Sequence, residues 1–345
     1  MAREAVVLGG VSVAPGGRAH VTLPVSILPD HTEVGLRCEV IHGRRDGPVA
    51  FVSAAVHGDE VIGVEICRRL LRAPQMAKLR GTLIVVPVVN AFGFLRGSRY
   101  LPDRRDLNRC FPGSPGGSLG ARLAHIFLND IVLRCDFGID LHSAAVQRTN
   151  LPQIRVSPGD QVTARMARSF GAPIILTSPL RPGSLRGEAA ERGTPVLLYE
   201  AGEGLRFDEI AVRAGVAGIL RVLRDAGMVG AKGIAKPRSP SLICTRSSWL
   251  RAPAGGLLRT FRAEGEMVAE GDVLAAISDP FGEVEAELKA PGPGILIGRA
   301  VMPVVNEGDA VYHLANVSPQ ADEETVDALT AQLEADPIFD EDEII

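Results

Sequence analysis

Between residues 50 and 226, short apolar runs alternate with stretches of helical spacing, and a chain written this way has few folds open to it. Phe51–Val56, Thr82–Val89, Phe137–Leu141 and Pro195–Tyr199 are runs of the length and composition of buried strands. Between them, Val61–Leu71 carries apolar residues at helical spacing (Val61, Val64, Leu70, Leu71), Leu119–Leu133 reads as a helix, and another is expected over Asp208–Ala226. Strands that alternate with helices predict an α/β fold, with a mixed, mostly parallel sheet and helices on both faces.

The 345 residues are enough for about two domains, and the pattern divides accordingly. Residues 1–48 break at Gly and Pro and predict short strands, an N-terminal β extension packed on the core. The α/β domain is expected over 49–235, ending in the Gly/Lys/Pro/Ser stretch Ala231–Pro240. Beyond it, over 240–317, lies an internal repeat. Ala252-Pro253-Ala254-Gly255-Gly256-Leu257-Leu258 matches Ala290-Pro291-Gly292-Pro293-Gly294-Ile295-Leu296 at an offset of 38, and Glu270-Gly271-Asp272 matches Glu307-Gly308-Asp309 at 37. Two such units predict a small pseudo-twofold β-sandwich. It resembles a biotinyl/lipoyl domain, but the hairpin Ser278–Glu283 carries no lysine to modify, and Lys289 lies beyond it. A supporting or assembly role, including homo-oligomer formation, is the expectation. Residues 318–345 form an acidic tail, read as solvated with one short helix near Glu323–Leu333.

Charge narrows the partners. The chain carries −4 overall and the tail's ten acids carry −10, which leaves the body at +6. A mildly positive body suits a small anionic substrate, and it lacks the basic stripes with interleaved aromatics that bind nucleic acid. No apolar stretch reaches the roughly 20 residues of a membrane span. No secretory signal is read in the first residues, and the five scattered cysteines, with no C-x-x-C pair, fit a reducing compartment. The expected location is cytoplasmic.

The chemistry gathers where apolar runs end, because ligands of parallel α/β sheets collect at the carboxyl ends of strands. His57-Gly58-Asp59-Glu60 closes the first run and His142 the third. Two imidazoles and one carboxylate are a donor set that holds a catalytic zinc and leaves a position open. Taken alone, H-x-x-E is also what a helix N-terminus with an acidic first turn looks like. Asp140, two residues before His142, leaves the strand on the same side, and Asp140 or Asp106 is positioned to orient a metal-bound imidazole. The arginine-rich loop Arg99–Arg109 contains Asp106-Leu107-Asn108-Arg109, with groups suited to binding a carboxylate and polarising a carbonyl. Glu200 ends the fourth run, where a carboxylate is desolvated and suits a proton-transferring base; Glu203 is the alternative. Cys110 has no His-assisted nucleophile pattern around it.

Together these segments resemble the succinylglutamate desuccinylase/aspartoacylase family, a branch of the zinc carboxypeptidase fold. The matching motifs are H-G-D-E (57–60), the Arg99–Arg109 loop ending in D-L-N-R, D-L-H (140–142) and the strand-final Glu200. Larger bacterial members that deacetylate N-acetyl-diaminobutyrate are similar also in D-P-F-G-E (279–283) and N-E-G-D (306–309). The resemblance implies one Zn2+ per subunit on His57, Glu60 and His142, with Glu200 as general acid/base. It implies Arg99 as the carbonyl-polarising group, and Asn108 with Arg109 as the α-carboxylate grip. The loop is about two residues longer than in aspartoacylases, so Arg96 and Arg105 stand as alternatives to Arg99. A substrate contact is expected from residues 180–192, with Arg186 and Glu188 as candidates. The implied reaction is removal of an acyl group from a small N-acyl amino acid by activated water. A metallocarboxypeptidase or an esterase would use the same zinc site, and a non-catalytic binding protein would keep the fold without the reaction.

Overall fold

The computed structural model describes residues 3–317 apart from 238 and 283, so the acidic tail and its expected helix lie outside the described residues. The strands are β1 (Val6–Leu8), β2 (Val11–Val13), β3 (Arg18–Ile27), β4 (Glu33–His42), β5 (Arg45–Ala54), β6 (Arg80–Val86), β7 (Phe137–His142), β8 (Arg148–Val156), β9 (Ile174–Thr177) and β10 (Val196–Gly202). The helices are α1 (Ile62–Arg72), α2 (Ala91–Arg96), α3 (Leu119–Ile126), α4 (Gln161–Phe170), α5 (Leu185–Glu191) and α6 (Glu209–Asp225). None is long and apolar enough to cross a membrane.

The centre of the sheet is β10-β7-β5-β6, all parallel, as the apolar runs predict. On one face Ala50, Val52, Leu83 and Val85 pack beneath α1, α4 and α6. On the other, Phe51, Ile84 and Val86 share a core with Leu123 of α3 and with Phe127. Alternation along each strand therefore serves two cores, which is why these runs read as continuously hydrophobic. The flanks are antiparallel. β4 adds to β6 and β3 to β4, so the N-terminal segment contains two ten-residue strands rather than only the short ones expected. At the other side β8 runs antiparallel to β10.

The C-terminal region contributes β11 (Leu242–Cys244), β12 (Ser247–Arg251), β13 (Gly256–Thr260), β14 (Met267–Val268), β15 (Val273–Ser278), β16 (Val284–Lys289), β17 (Gly294–Ala300), β18 (Val304–Val305) and β19 (Ala310–Ala315). The repeat becomes an exchange of short strands. β14 of the first copy pairs with β17 of the second, and β18 of the second pairs with β13 of the first. Leu258, Leu274 and Ile277 on one side and Leu296, Val311 and Leu314 on the other close a common core. This unit is not tethered by a linker alone. β17 pairs directly with β8, Gly298 opposite Asn150, so the main sheet continues into it through β17, β19 and β12. A Cβ at Gly298 would stand 2.6 Å from the Asn150 side chain and 3.0 Å from the Thr149 carbonyl, a distance only glycine permits.

Candidate active site

β5 ends at Ala54, and the chain turns sharply through Ala55, which sits at φ 50. The following loop presses against α2: a Cβ on Gly58 would lie 2.0 Å from the Gly93 carbonyl carbon. His57 and Glu60 are thereby held, both buried, before α1 begins at Ile62. The acidic pair of the motif accordingly precedes the helix rather than forming its first turn. His142 is the last residue of β7, and the register sets Glu200 of β10 directly opposite it. Paired residues of adjacent parallel strands project to the same face, so the sheet itself brings these two side chains together.

Glu60 lies between the imidazoles. Its Oε1 is 2.7 Å from His57 Nδ1, and its Oε2 is 2.8 Å from His142 Nδ1. One donor atom from each of the three residues lies within 4.8 Å of the others. The outer ring nitrogens are also engaged. His57 Nε2 is 3.0 Å from Asp106, and His142 Nε2 is 2.7 Å from Asp140, which accepts a 2.6 Å hydrogen bond from Ser53 Oγ. Each ring is clamped by an outer carboxylate so that the opposite nitrogen faces one shared point, the arrangement that orients metal-ligating histidines. The donor set and its buried setting fit a divalent zinc-type cation.

The electrostatics agree. Burial disfavours a charged imidazole at position 57, but Glu60 and Asp106 hold its pKa above the usual histidine value. Asp140 and Glu60 raise His142 further against the same penalty. Burial would raise Glu60 and Asp106, yet the imidazoles, and Arg99 at Asp106, hold both carboxyls well below the ordinary range. This is a pocket of carboxylates that favours positive charge between them.

A cavity of about 440 Å³ opens above this cluster. Arg99, Asn108, Arg109, Arg186 and Glu200 all line it together with His57, Glu60 and His142. Arg99 donates to Glu60 at 3.0 Å and to Asp106 at 3.3 Å. Arg96 is exposed and outside the cavity lining, and Arg105 is exposed beside Asp103, so Arg99 alone of the three reaches the site. Asn108 Oδ1 accepts from the Leu185 amide, which ties its loop to α5. The Arg109 guanidinium donates to the Asn108 carbonyl and is otherwise open to the cavity. Arg186 spends its donors on the Arg155, Ser178 and Pro179 carbonyls, and burial together with the Arg155 charge pulls it down to about 10. Glu188 pairs with Arg192 and is absent from the lining. Glu203 accepts from the Gln147 amide and pairs with Arg206, so Glu200 is the carboxylate that faces the cavity. Cys110 donates to the Asp106 carbonyl, and burial raises its thiol pKa, which leaves it a poor nucleophile.

Around Glu200 the setting differs from a bare apolar strand end. Arg155 donates to it at 2.9 Å and Asn150 at 3.0 Å, both from β8. Neither residue stood out in the sequence, and nor did Arg148 or Trp249, which also line the cavity. The available signal was Arg155 itself, a charge inside the apolar stretch Leu151–Val156 that required a buried partner.

Known proteins resemble this chain in sequence and in fold. The model of the succinylglutamate desuccinylase/aspartoacylase catalytic domain matches residues 46–226, just over half the chain. N-alpha-acetyl-L-2,4-diaminobutyric acid deacetylase of Halomonas elongata is 29% identical over 287 residues, covering 79% of this chain and 84% of that protein. The product-bound ectoine utilization protein EutE (DoeB) of Ruegeria pomeroyi superposes with a TM-score of 0.78 at 24% identity, over 91% of this chain and 96% of that one. A succinylglutamate desuccinylase/aspartoacylase of Rhodobacter sphaeroides does so with a TM-score of 0.76 at 26% identity, over 92% and 97%.

Proposed function

The chain belongs to the succinylglutamate desuccinylase/aspartoacylase family, and from that premise we propose that it is a zinc-dependent hydrolase that removes the acyl group of a small N-acyl amino acid. The observation that carries this reading is the convergence of His57, Glu60 and His142 from two distant segments at the floor of an arginine-lined cavity. The Halomonas relative's name, a deacetylase of an N-acetylated amino acid, supports the same reaction type.

His57, Glu60 and His142 would hold one Zn2+, which when bound supplies Lewis acidity towards a carbonyl and towards water. Glu200, fixed by Arg155 and Asn150, is the group that takes the proton from the attacking water and returns it to the departing amine. Arg99 keeps N–H donors beyond the two given to Glu60 and Asp106, and these stabilise the negative oxygen that develops on the substrate. Arg109, with the Asn108 amide, binds the substrate α-carboxylate. Free, mostly buried cysteines suit cytoplasmic work.

The test is metal analysis of the purified protein joined to a hydrolysis panel of N-acetyl-diaminobutyrate, N-acetyl-aspartate and N-succinyl-glutamate. One zinc per chain and chelator-sensitive release of a free amine are expected. Metal-free protein that neither takes up zinc nor hydrolyses any member would refute the assignment.

A further inference from the structure

We propose that Arg148 and Trp249 form a specificity pair that selects substrates carrying a second carboxylate, beyond the one bound at Arg109. The inference rests on the N-acyl amino acid reading above and names the substrate class within it.

Of the cavity's six arginines three are committed to partners, Arg109 is taken by the α-carboxylate in the reading above, and Arg181 is solvent-exposed. Arg99 serves Glu60 and Asp106, Arg155 serves Glu200, and Arg186 serves three backbone carbonyls. Among the described residues, Arg148 is a half-buried guanidinium of the lining with no carboxylate or carbonyl partner. Its contact is aromatic: the guanidinium carbon lies 5.3 Å from the centre of the Trp249 ring. A half-buried cation that faces a cavity without an anion is an anion-binding group.

The pair is built rather than incidental. Arg148 follows Gln147, which adopts φ 69 and is clamped from both sides. Its N–H donates to Glu203 at 2.9 Å, and its carbonyl accepts from the Val301 amide at 3.0 Å. Trp249 comes from β12 of the C-terminal unit. Its ring stacks on His313, with centroids 4.5 Å apart and planes 10° from parallel, while His313 Nε2 is held 2.9 Å from Ser247 Oγ. A flat, fixed ring under a guanidinium restricts the plane in which its N–H groups point, while favouring the charge. The C-terminal unit thus furnishes one wall of the site and orients a cation on it.

Charge sets the preference. The cavity's carboxylates are Glu60 and Glu200, the first between the histidines and the second paired with Arg155. A substrate ammonium, such as that of the diaminobutyrate in the Halomonas relative's name, would meet arginines and no free acid. A second carboxylate would meet Arg148. It can belong to the amino acid side chain or to the acyl group.

Trp249 is the only tryptophan of the chain, so its fluorescence reports occupancy without turnover. The zinc-supplemented full chain is titrated with L-aspartate, L-asparagine and L-2,4-diaminobutyrate, and separately with succinate and succinamate. Aspartate should bind at least about tenfold tighter than asparagine, or succinate than succinamate, with diaminobutyrate weakest of the amino acids. Whichever ratio exceeds one identifies the source of the second carboxylate. It should collapse towards one in Arg148→Gln and recover in part in Arg148→Lys, while retained monocarboxylate binding shows that the variant is folded. Ratios near one in the unaltered protein, ratios unchanged in Arg148→Gln, or tightest binding of diaminobutyrate would each overturn the proposal. Because no bond is cleaved in this assay, its result is separate from any failure to hydrolyse the substrate panel.

Discussion

Glu200 shows how much one position depends on its neighbours. The sheet register sets it across from His142, and β8 supplies Arg155 and Asn150 to fix its carboxylate. Glu200→Gln keeps the shape and the hydrogen-bond acceptor but loses the proton-accepting charge. We expect zinc content to be unchanged and turnover to fall by about 10² to 10⁴, the span typical of a lost general base. Parent-level amide hydrolysis by this variant would remove Glu200 from the mechanism. His57, Glu60 and His142 were legible in the chain because they follow the ends of apolar runs, which in this architecture is also where ligands gather. Arg155 and Asn150 were not, since their meaning depends on which strand lies beside β10.

The helices and strands were legible in proportion to their regularity. α1 buries one apolar stripe, α6 is buried nearly all round from Ala214 to Leu223, and both fall within a residue or two of expectation. β8 escaped notice, and Pro152 in its middle is one reason, because a proline argues against a central strand. The register explains how it is tolerated. β8 pairs with β17 over 148–150 and with β9 over 153–156, while its pairing with β10 is interrupted by a bulge between Glu200 and Gly202. Pro152 falls between these ladders, so its missing N–H breaks no regular bond.

The same two helices are cross-linked by Arg69 of α1, which bonds Glu65 at 2.7 Å and Glu209 of α6 at 2.7 and 2.8 Å. Hydrogen bonds from Arg69 and Arg213 lower Glu209, and those from Arg68 and Arg69 lower Glu65. Both carboxyls therefore titrate below their unfolded values. The stability they add is complete above the ordinary glutamate range and is lost as pH falls through the lowered values. Arg69→Met should lower the thermal midpoint near neutrality, and the gap to the parent should narrow in acid. Because the Glu209 side chain is 43% exposed, the effect should be modest and weaken with salt. A gap independent of pH down to the acid limb would show that the pair contributes only packing.

For the whole molecule, the continuous sheet makes a mechanical prediction. β8 belongs at once to the site, through Asn150 and Arg155, and to the seam with β17. The two units should therefore melt together, and calorimetry should show a single endotherm. Two resolved transitions would mean that the C-terminal unit folds independently of the site. Gly298→Val, which forces a side chain against Asn150 and Thr149, should lower that transition by about 1–3 kcal/mol of stability and disturb Glu200 as well.

The order of apolar runs and helical spacings was sufficient for the α/β class and for the strand-end histidines, and matched segments and residue types for the internal repeat and the arginine-rich loop. Each is a property of the linear chain, carried by composition, period or repetition. The partners of Glu200, the reach of Arg99 over Arg96 and Arg105, and the entry of Trp249 into the cavity were decided only by the fold. They depend on strand order and register between segments far apart in the chain, for which no local pattern of side chains carries a signal.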